Sequence, residues 1–207
     1  MRRSLLLLFG FALPVAALSA QDLYVGNGTK SGDSVVRFDG TTGAFVADIP
    51  ISSGAIFGLA VAPGGDLFVS TRTTTSSAVE RYSGTTNAFL GNFVTGQDLG
   101  GVAFGPNGDL YGISSATSVK RFDGTSGSLV ATYSLDTPGA DLAFGTGGDF
   151  FVGSGTPQGG GVRRYDGLTG ASEGLFVDVV SGRRLAFGTG GDLFVSEFVS
   201  GSDVVTR

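Results

Sequence analysis

GVAFGPNGDLYGISSATSVKRFDG, residues 101–124, decides the reading of this chain. It holds an apolar run (101–105), an Asn107-Gly108 pair, a second β-rich run from Asp109, a third run (119–122) and a closing Asp123-Gly124. The same order returns along the chain. Its Asp-Leu/Phe-Phe/Tyr-Val/Gly core begins at Asp22, Asp66, Asp109, Asp149 and Asp192, in steps of 44, 43, 40 and 43 residues. A fixed period of this length is the signature of a repeat architecture.

Each copy offers four short strands. The first covers 58–62, 101–105, 141–145 and 184–188. Gly64-Gly65, Asn107-Gly108, Gly147-Gly148 and Gly190-Gly191 then turn the chain, and such pairs between β-rich runs predict a two-residue type I′ hairpin. DLFVS and its variants supply the second strand. The third is Val-x-Arg-Phe/Tyr at 35–38, 79–82, 119–122 and 162–165, and AFVADI, AFLGNF, SLVATY and SEGLFV supply the fourth. Four antiparallel strands per unit of roughly 40–45 residues make the blade of a β-propeller. Consecutive apolar residues in Leu67-Phe68-Val69 and Phe150-Phe151-Val152 fit blades buried on both faces, since a half-solvated strand would alternate. An open solenoid of the same period would need capping units that the sequence does not offer.

The expected fold is therefore an all-β propeller with about five blade repeats over residues 21–207. A partial blade (21–57) precedes three full blades (58–98, 99–139, 140–182) and a second partial blade (183–207). Eighteen strands fall short of the twenty that five complete blades need, so the expectation is an incomplete, open ring and a fragment of a longer protein that self-associates through unpaired edges.

Residues 1–20 read differently. Arg2 and Arg3, an apolar run to Ala17 and the small-residue end Leu18-Ser19-Ala20 have the layout of a secretory signal peptide, with a retained N-terminal anchor as the alternative. No Cys follows, which excludes a lipid-modified N-terminus, disulfides and thiol chemistry. Loss of Arg2 and Arg3 with the leader moves the formal charge from −5 to −7. That balance opposes nucleic-acid partners and insertion into, or binding to, an anionic membrane surface. The expected setting is secreted or cell-surface, by bacterial export.

GLAVAPGGDLFVS…VERYSG and DLAFGTGGDFFVG…VRRYDG resemble the NHL-type propeller repeat, and more closely the propellers of secreted bacterial proteins. The resemblance spans residues 22–207. It implies a fold and leaves function open, because such blades serve both as binding modules and as enzymes. The NHL-like lyases rely on His and this chain has none, so the resemblance does not extend to them.

The lack of His also removes a Ser-His-Asp triad and His metal ligands. Asp66, Asp109, Asp149 and Asp192 recur in every copy, as do Arg81, Arg121 and Arg164, so they read as turn-closing carboxylates and their ion-pair partners. Residues that differ between copies are more informative. Asp141 and Arg184 take the place, before the innermost strand, that Gly58 and Gly101 take in earlier copies. They predict a polar pair at the mouth of the central channel that binds a ligand, or one that only solvates the mouth. The variable connections (26–34, 50–57, 71–78, 95–99, 153–161) belong to the same rim, where binding concentrates on rigid scaffolds. No cofactor is required. Ca²⁺ is the one metal the carboxylates offer, through Asp33, Asp98, Asp136 or Asp203, although no EF-hand or nonapeptide loop is present. The function expected is a secreted, non-catalytic module binding an extracellular ligand or protein. Two alternatives stand beside it: a carboxylate-metal, lactonase-like hydrolase, and a structural repeat region of a larger cell-surface protein.

Overall fold

The computed structural model of the chain describes residues 22–29, 32–52, 54–155, 160–179, 182–188, 190–199 and 202–207. The leader expected over 1–20 lies outside them. The described residues contain strands and turns and no helix.

Among the described residues, eighteen strands form five antiparallel sheets, each from consecutive strands. The first sheet joins β1 (Leu23–Thr29), β2 (Gly32–Phe38) and β3 (Phe45–Pro50). The second runs β4 (Ala55–Val61), β5 (Leu67–Arg72), β6 (Ser77–Tyr82), β7 (Phe89–Thr95). The third runs β8 (Leu99–Phe104), β9 (Leu110–Ser114), β10 (Ser118–Phe122), β11 (Leu129–Ser134). The fourth runs β12 (Asp141–Phe144), β13 (Phe150–Ser154), β14 (Gly161–Tyr165), β15 (Ser172–Val177). The fifth holds β16 (Gly182–Phe187), β17 (Leu193–Val199) and β18 (Ser202–Thr206).

The sheets are the blades of a β-propeller. Their inner strands pack in the order β1, β4, β8, β12, β16. Between the fifth and first blades, the described residues show no strand packing of that extent. Second strands β5, β9 and β13 are buried along nearly their whole length, while β7, β11 and β15 at the periphery are largely exposed.

The core lies between blades and is repeated. One cluster joins Val35 and Ile49 of the first blade to Leu67, Val69 and Tyr82 of the second. Another joins Phe68 and Val79 to Leu99, Val102, Leu110 and Phe122. The next joins Tyr111, Ile113 and Tyr133 to Leu142, Phe150 and Tyr165, and the last joins Phe151 and Val162 to Leu185 and Val195. One edge-to-face aromatic pair recurs in three successive interfaces: Phe68–Phe104 at 4.9 Å, Tyr111–Phe144 at 4.8 Å and Phe151–Phe187 at 5.0 Å. In each, the aromatic that follows the Asp-Leu/Phe start of a second strand meets the aromatic ending the next blade's inner strand. Such pairs add about 0.5–1.5 kcal/mol beyond the area they bury.

The first hairpin of each blade corrects the expected type I′ turn. Gly105 N–H donates to Asp109 O (2.9 Å) and Gly108 N–H to Gly105 O (2.9 Å), and only Gly108 of the pair has positive φ, at 81°. This is a three-residue loop, a type I turn closed by a glycine bulge. Pro63 and Pro106 begin two of these loops, and proline's fixed negative φ suits the first central position of a type I turn but not of a I′ turn. Gly65 (92°), Gly148 (94°) and Gly191 (84°) hold the same left-handed position.

Candidate functional site

The residues that recur in every blade form an internal clamp. Asp109 Oδ2 accepts from Arg121 Nε at 2.6 Å, and its Oδ1 accepts from Gly124 N at 3.0 Å. Asp66 does the same with Arg81 (2.8 Å) and Gly84 N (3.1 Å), Asp22 with Arg37 (2.6 Å) and Gly40 N (3.2 Å), and Asp149 with Arg164 (2.9 Å) and Gly167 N (3.3 Å). Arg207 pairs with Asp192 at 2.5 Å, the place its alignment with Arg121 assigns it. One carboxylate thus fastens the second strand, the third strand and the turn after it. The same turn is organised by Asp39, Asp123 and Asp166, whose carboxyls accept from residues two and three further on; Thr42, Ser126 and Thr169 hold them below the usual carboxylate range.

The opposite rim carries the variation. A cavity of about 580 Å³ opens there on the ring axis, and each of the five blades contributes to it: Gly26 and Asp33, then residues 55–59, then Val102, Asp141 and Arg184. That volume falls within the ~300–1,000 Å³ of small-molecule sites. The two residues singled out from the sequence are both brought to this mouth. Asp141 Oδ2 accepts from Leu185 N at 3.1 Å in the next blade. Burial pushes its carboxyl above the usual range, against the Leu185 N–H and the nearby charge of Arg184, which pull it down. The Arg184 guanidinium is exposed, and Nη1 donates to Phe57 O at 3.4 Å across the mouth. The ion pairs of the described residues do not include one between Asp141 and Arg184.

The equivalent glycines have a structural reason. A Cβ on Gly58 would stand 2.7 Å from Gly100 O and 3.0 Å from Val102 N, so the inner strands approach too closely there for any side chain. A Cβ on Gly101 would run into the Asp141 carboxylate, so Asp141 occupies room that Gly101 leaves. Leu59, Val102 and Asp141 line both this mouth and the next stretch of the channel, beside which Phe104, Leu142 and Phe144 pack into the clusters between blades.

Of the residues proposed for Ca²⁺, Asp33 alone faces this cavity. Asp98 pairs with Arg72, whose guanidinium also lies 4.2 Å over the Phe57 ring. Asp136 accepts from Arg163 Nη1 at 3.4 Å and from the Ser172 hydroxyl. The side chain of Asp203 lies outside the described residues. Among the described residues, the carboxylates that do converge are Asp149, Asp166 and Glu173, at the turn rim. Arg164 already stands among them, paired with Asp149 and, through Nε at 2.7 Å, with Glu173. Ile56 falls in the variable connection 50–57, whereas sequence reasoning missed Leu59 and Val102 as lining residues because they read as ordinary strand positions.

No protein-family model matches this chain, and no curated protein sequence matches it. Solved structures do. Hydrazine synthase of Kuenenia stuttgartiensis is similar over 86% of this chain and 53% of its own, at TM-score 0.66 and 16% identity. The WD40 propeller domain of Doa1 is similar over 84% and 57%, at TM-score 0.65 and 13% identity. A Bacteroides caccae protein of unknown function is similar over 90% and 72%, at TM-score 0.58 and 15% identity. The chain spans a little over half the length of the first two. At these identities the likeness is one of fold: a β-propeller.

Proposed function

We propose that this is an exported, NHL-like propeller that acts as a binding module and takes its ligand on the variable rim, where the channel opens. The observation carrying this reading is the mouth itself. Every blade contributes to one cavity, and its polar residues Asp33, Asp141 and Arg184 lie outside the repeated pattern, whereas the repeated Asp and Arg side chains are consumed by the blade clamps. Propellers such as the WD40 type serve widely as interaction modules, which is consistent with a rigid scaffold whose loops do the recognising. A partner outside the cell and no required cofactor complete the reading.

The test uses methyl-labelled protein titrated with mixtures of small amines, carboxylates and neutral sugars, followed by NMR. Shifts confined to the methyls of Ile56, Leu59 and Val102 are expected. Shifts confined to Leu168 and Leu175 at the turn rim and periphery, or none, overturn the proposal. Export is tested separately by expression with the leader and N-terminal sequencing, with Gln21 expected as the first residue; a retained Met1 refutes it.

A further inference from the structure

The first blade differs from the others at its inner edge. β1 is innermost in its sheet, yet Asp22-Leu23-Tyr24-Val25 is a second-strand sequence, matching Asp66-Leu67-Phe68-Val69 at β5. In the other four blades the second strand lies against an inner strand that holds Leu59-Ala60-Val61, Val102-Ala103-Phe104, Leu142-Ala143-Phe144 or Leu185-Ala186-Phe187. Among the described residues no strand takes that place beside β1, so the backbone groups along its inner edge have no strand partner. A groove of about 260 Å³ lies there, between Asp22 and Tyr24 on one side and Leu59, Ala60 and Val61 of β4 on the other. It adjoins the mouth, which Gly26 of β1 and Leu59 also line.

The other blades show what fits. In their ladders the inner-strand Leu stands opposite Val69, Val152 or Val195, and the residue two further on, Val61, Phe144 or Phe187, stands opposite Leu67, Phe150 or Leu193. Leu67, Val69, Phe150, Val152 and Val195 are buried. Their counterparts on β1, Leu23 and Val25, are 58% and 42% exposed. The residue that closes each inner strand donates its N–H to the Asp carbonyl across the turn: Ala62 to Asp66, Gly105 to Asp109, Gly145 to Asp149 and Gly188 to Asp192. Bonded pairs alternate along an antiparallel ladder, so the Ala two residues earlier is the next bonded position.

We propose that this slot takes an extended segment of a partner protein, with the pattern Leu/Val-Ala-Phe/Val-Gly, as an antiparallel inner strand on β1. Strand addition at a free sheet edge joins backbone to backbone and leaves selection to alternate side chains. The segment's Leu covers Val25 and its Phe covers Leu23. Its Ala and Gly N–H groups bond the carbonyls of Tyr24 and Asp22. A strand from outside is favoured over the residues before Asp22, because Gln21 stands where the other blades hold left-handed Gly65, Gly108, Gly148 and Gly191. This inference rests on the preceding reading that the ligand sits at the mouth, since the slot opens into that cavity.

The experiment titrates the purified chain with the end-capped peptide Ser-Gly-Leu-Ala-Phe-Gly-Ser, followed by methyl and amide NMR. Saturable shifts are expected at the Leu23, Val25 and Leu59 methyls and at the Tyr24 amide. A peptide of scrambled order should bind about tenfold or more weakly. N-methylation of the peptide's Ala should abolish binding. N-methylation of its Leu, whose N–H points away from β1, should leave the affinity within about threefold. Leu23→Ser should weaken the peptide about tenfold and, because Leu23 is already exposed, leave the melting temperature unchanged. Shifts at Leu59 without Leu23 and Val25, or equal affinities for the two N-methylated peptides, overturn strand addition while the mouth remains the binding site. The same holds if small ligands move Ile56, Leu59 and Val102 and the peptide moves nothing. If neither moves any of these methyls, both readings fall. Contacts from Leu23 or Val25 to Val15 or Ala17 in the free chain, or shifts at Leu23 and Val25 on raising protein concentration alone, would put this chain's own residues or a second copy in the slot and overturn the partner segment. The comparison of peptides on the wild-type chain decides even if a variant fails to fold.

Discussion

Gly124 lies so close against the carbonyl oxygen of Gly108 that a Cβ on Gly124 would overlap it. The turn after the third strand and the turn before the second are thus in backbone contact, beneath the Asp109 carboxylate that binds Gly124 N–H. Gly84 meets Gly65 and Gly167 meets Gly148 in the same way. Alanine at 124 must push two hairpins apart and break the clamp, so Gly124→Ala should cost about 2–4 kcal/mol, in the range of overpacking combined with a lost hydrogen bond. Gly64→Ala is the control. Nothing stands within 4 Å of its Cβ, and the change should be neutral or stabilising by up to about 1 kcal/mol. Urea unfolding of the two variants measures both.

The corrected hairpin makes a second prediction. Since Gly108 alone of its pair holds positive φ, at 81°, substitutions there should rank by tolerance of the left-handed region. Gly108→Val should cost about 1–2 kcal/mol, and Gly108→Asn distinctly less. Asn87, at φ 60° where other blades carry Gly43, Gly127 and Gly170, shows that this chain already uses Asn in such a position. Equal melting temperatures for the two variants would contradict the turn assignment.

Tyr82 and Glu80 form a buried polar pair in the second blade. Glu80 is 0% exposed and Tyr82 2%. The phenol donates to the Glu80 carboxylate and accepts from Ser52 N–H at 3.0 Å, pinning the connection between the first two blades. Burial, with the Glu80 carboxylate, pushes the phenol up to about 12. Tyr82→Phe removes a donor from a buried carboxylate and should cost about 2–3 kcal/mol. Tyr165→Phe, which loses only the acceptor for Asp136 N–H at 3.1 Å, should cost about 1 kcal/mol. Denaturant midpoints of the two variants separate the cases.

How far the sequence spoke depends on which kind of fact is asked for. The 40–44 residue step and the Asp-Leu-Phe-Val core were enough for five sheets, because period and strand pattern are local properties. The hairpins are legible and their type is less so: the Gly pairs point to I′, while Pro63 and Pro106 carry the contrary signal. The pairing of Arg121 with Asp109 followed from both recurring in every copy. Asp33 reads as a carboxylate of the variable rim connection 26–34, and that it faces the channel mouth depends on how five blades splay, which no local pattern states. Gly58 and Gly101 looked like empty counterparts of Asp141 and Arg184. Only the close approach of neighbouring inner strands shows that they are required there.

Acid should weaken the fold through the clamp. Asp66 is held below the usual carboxylate range, first by the Gly84 N–H and then by Arg81. A carboxyl whose folded value is depressed contributes stability that is fully present above its unfolded value, near 3.8, and is lost as pH falls through the lower folded value. The melting temperature should therefore hold above about pH 4.5 and fall steeply below about pH 4, with a shallower acid slope in Asp66→Asn. An unchanged slope would show that the Asp66 carboxylate gains nothing from the fold.

Asp141 has the opposite sign. Its folded value is raised, chiefly by burial, so the folded chain holds the proton more tightly than the unfolded chain does. Its contribution is fully favourable below the unfolded value, near 3.8, and is lost as pH rises from there through the higher folded value. At neutral pH the ionised carboxylate is thus a destabilising group, kept where Gly101 makes room for it and where Leu185 N–H is its backbone donor. Asp141→Asn retains an acceptor for that N–H and removes the charge, so at pH 7 it should raise the melting temperature, and the gain should vanish near pH 3. Melting curves of the two proteins at pH 3 and pH 7 test this. A variant less stable than wild type at pH 7 would show that the ionised Asp141 carboxylate supports the fold.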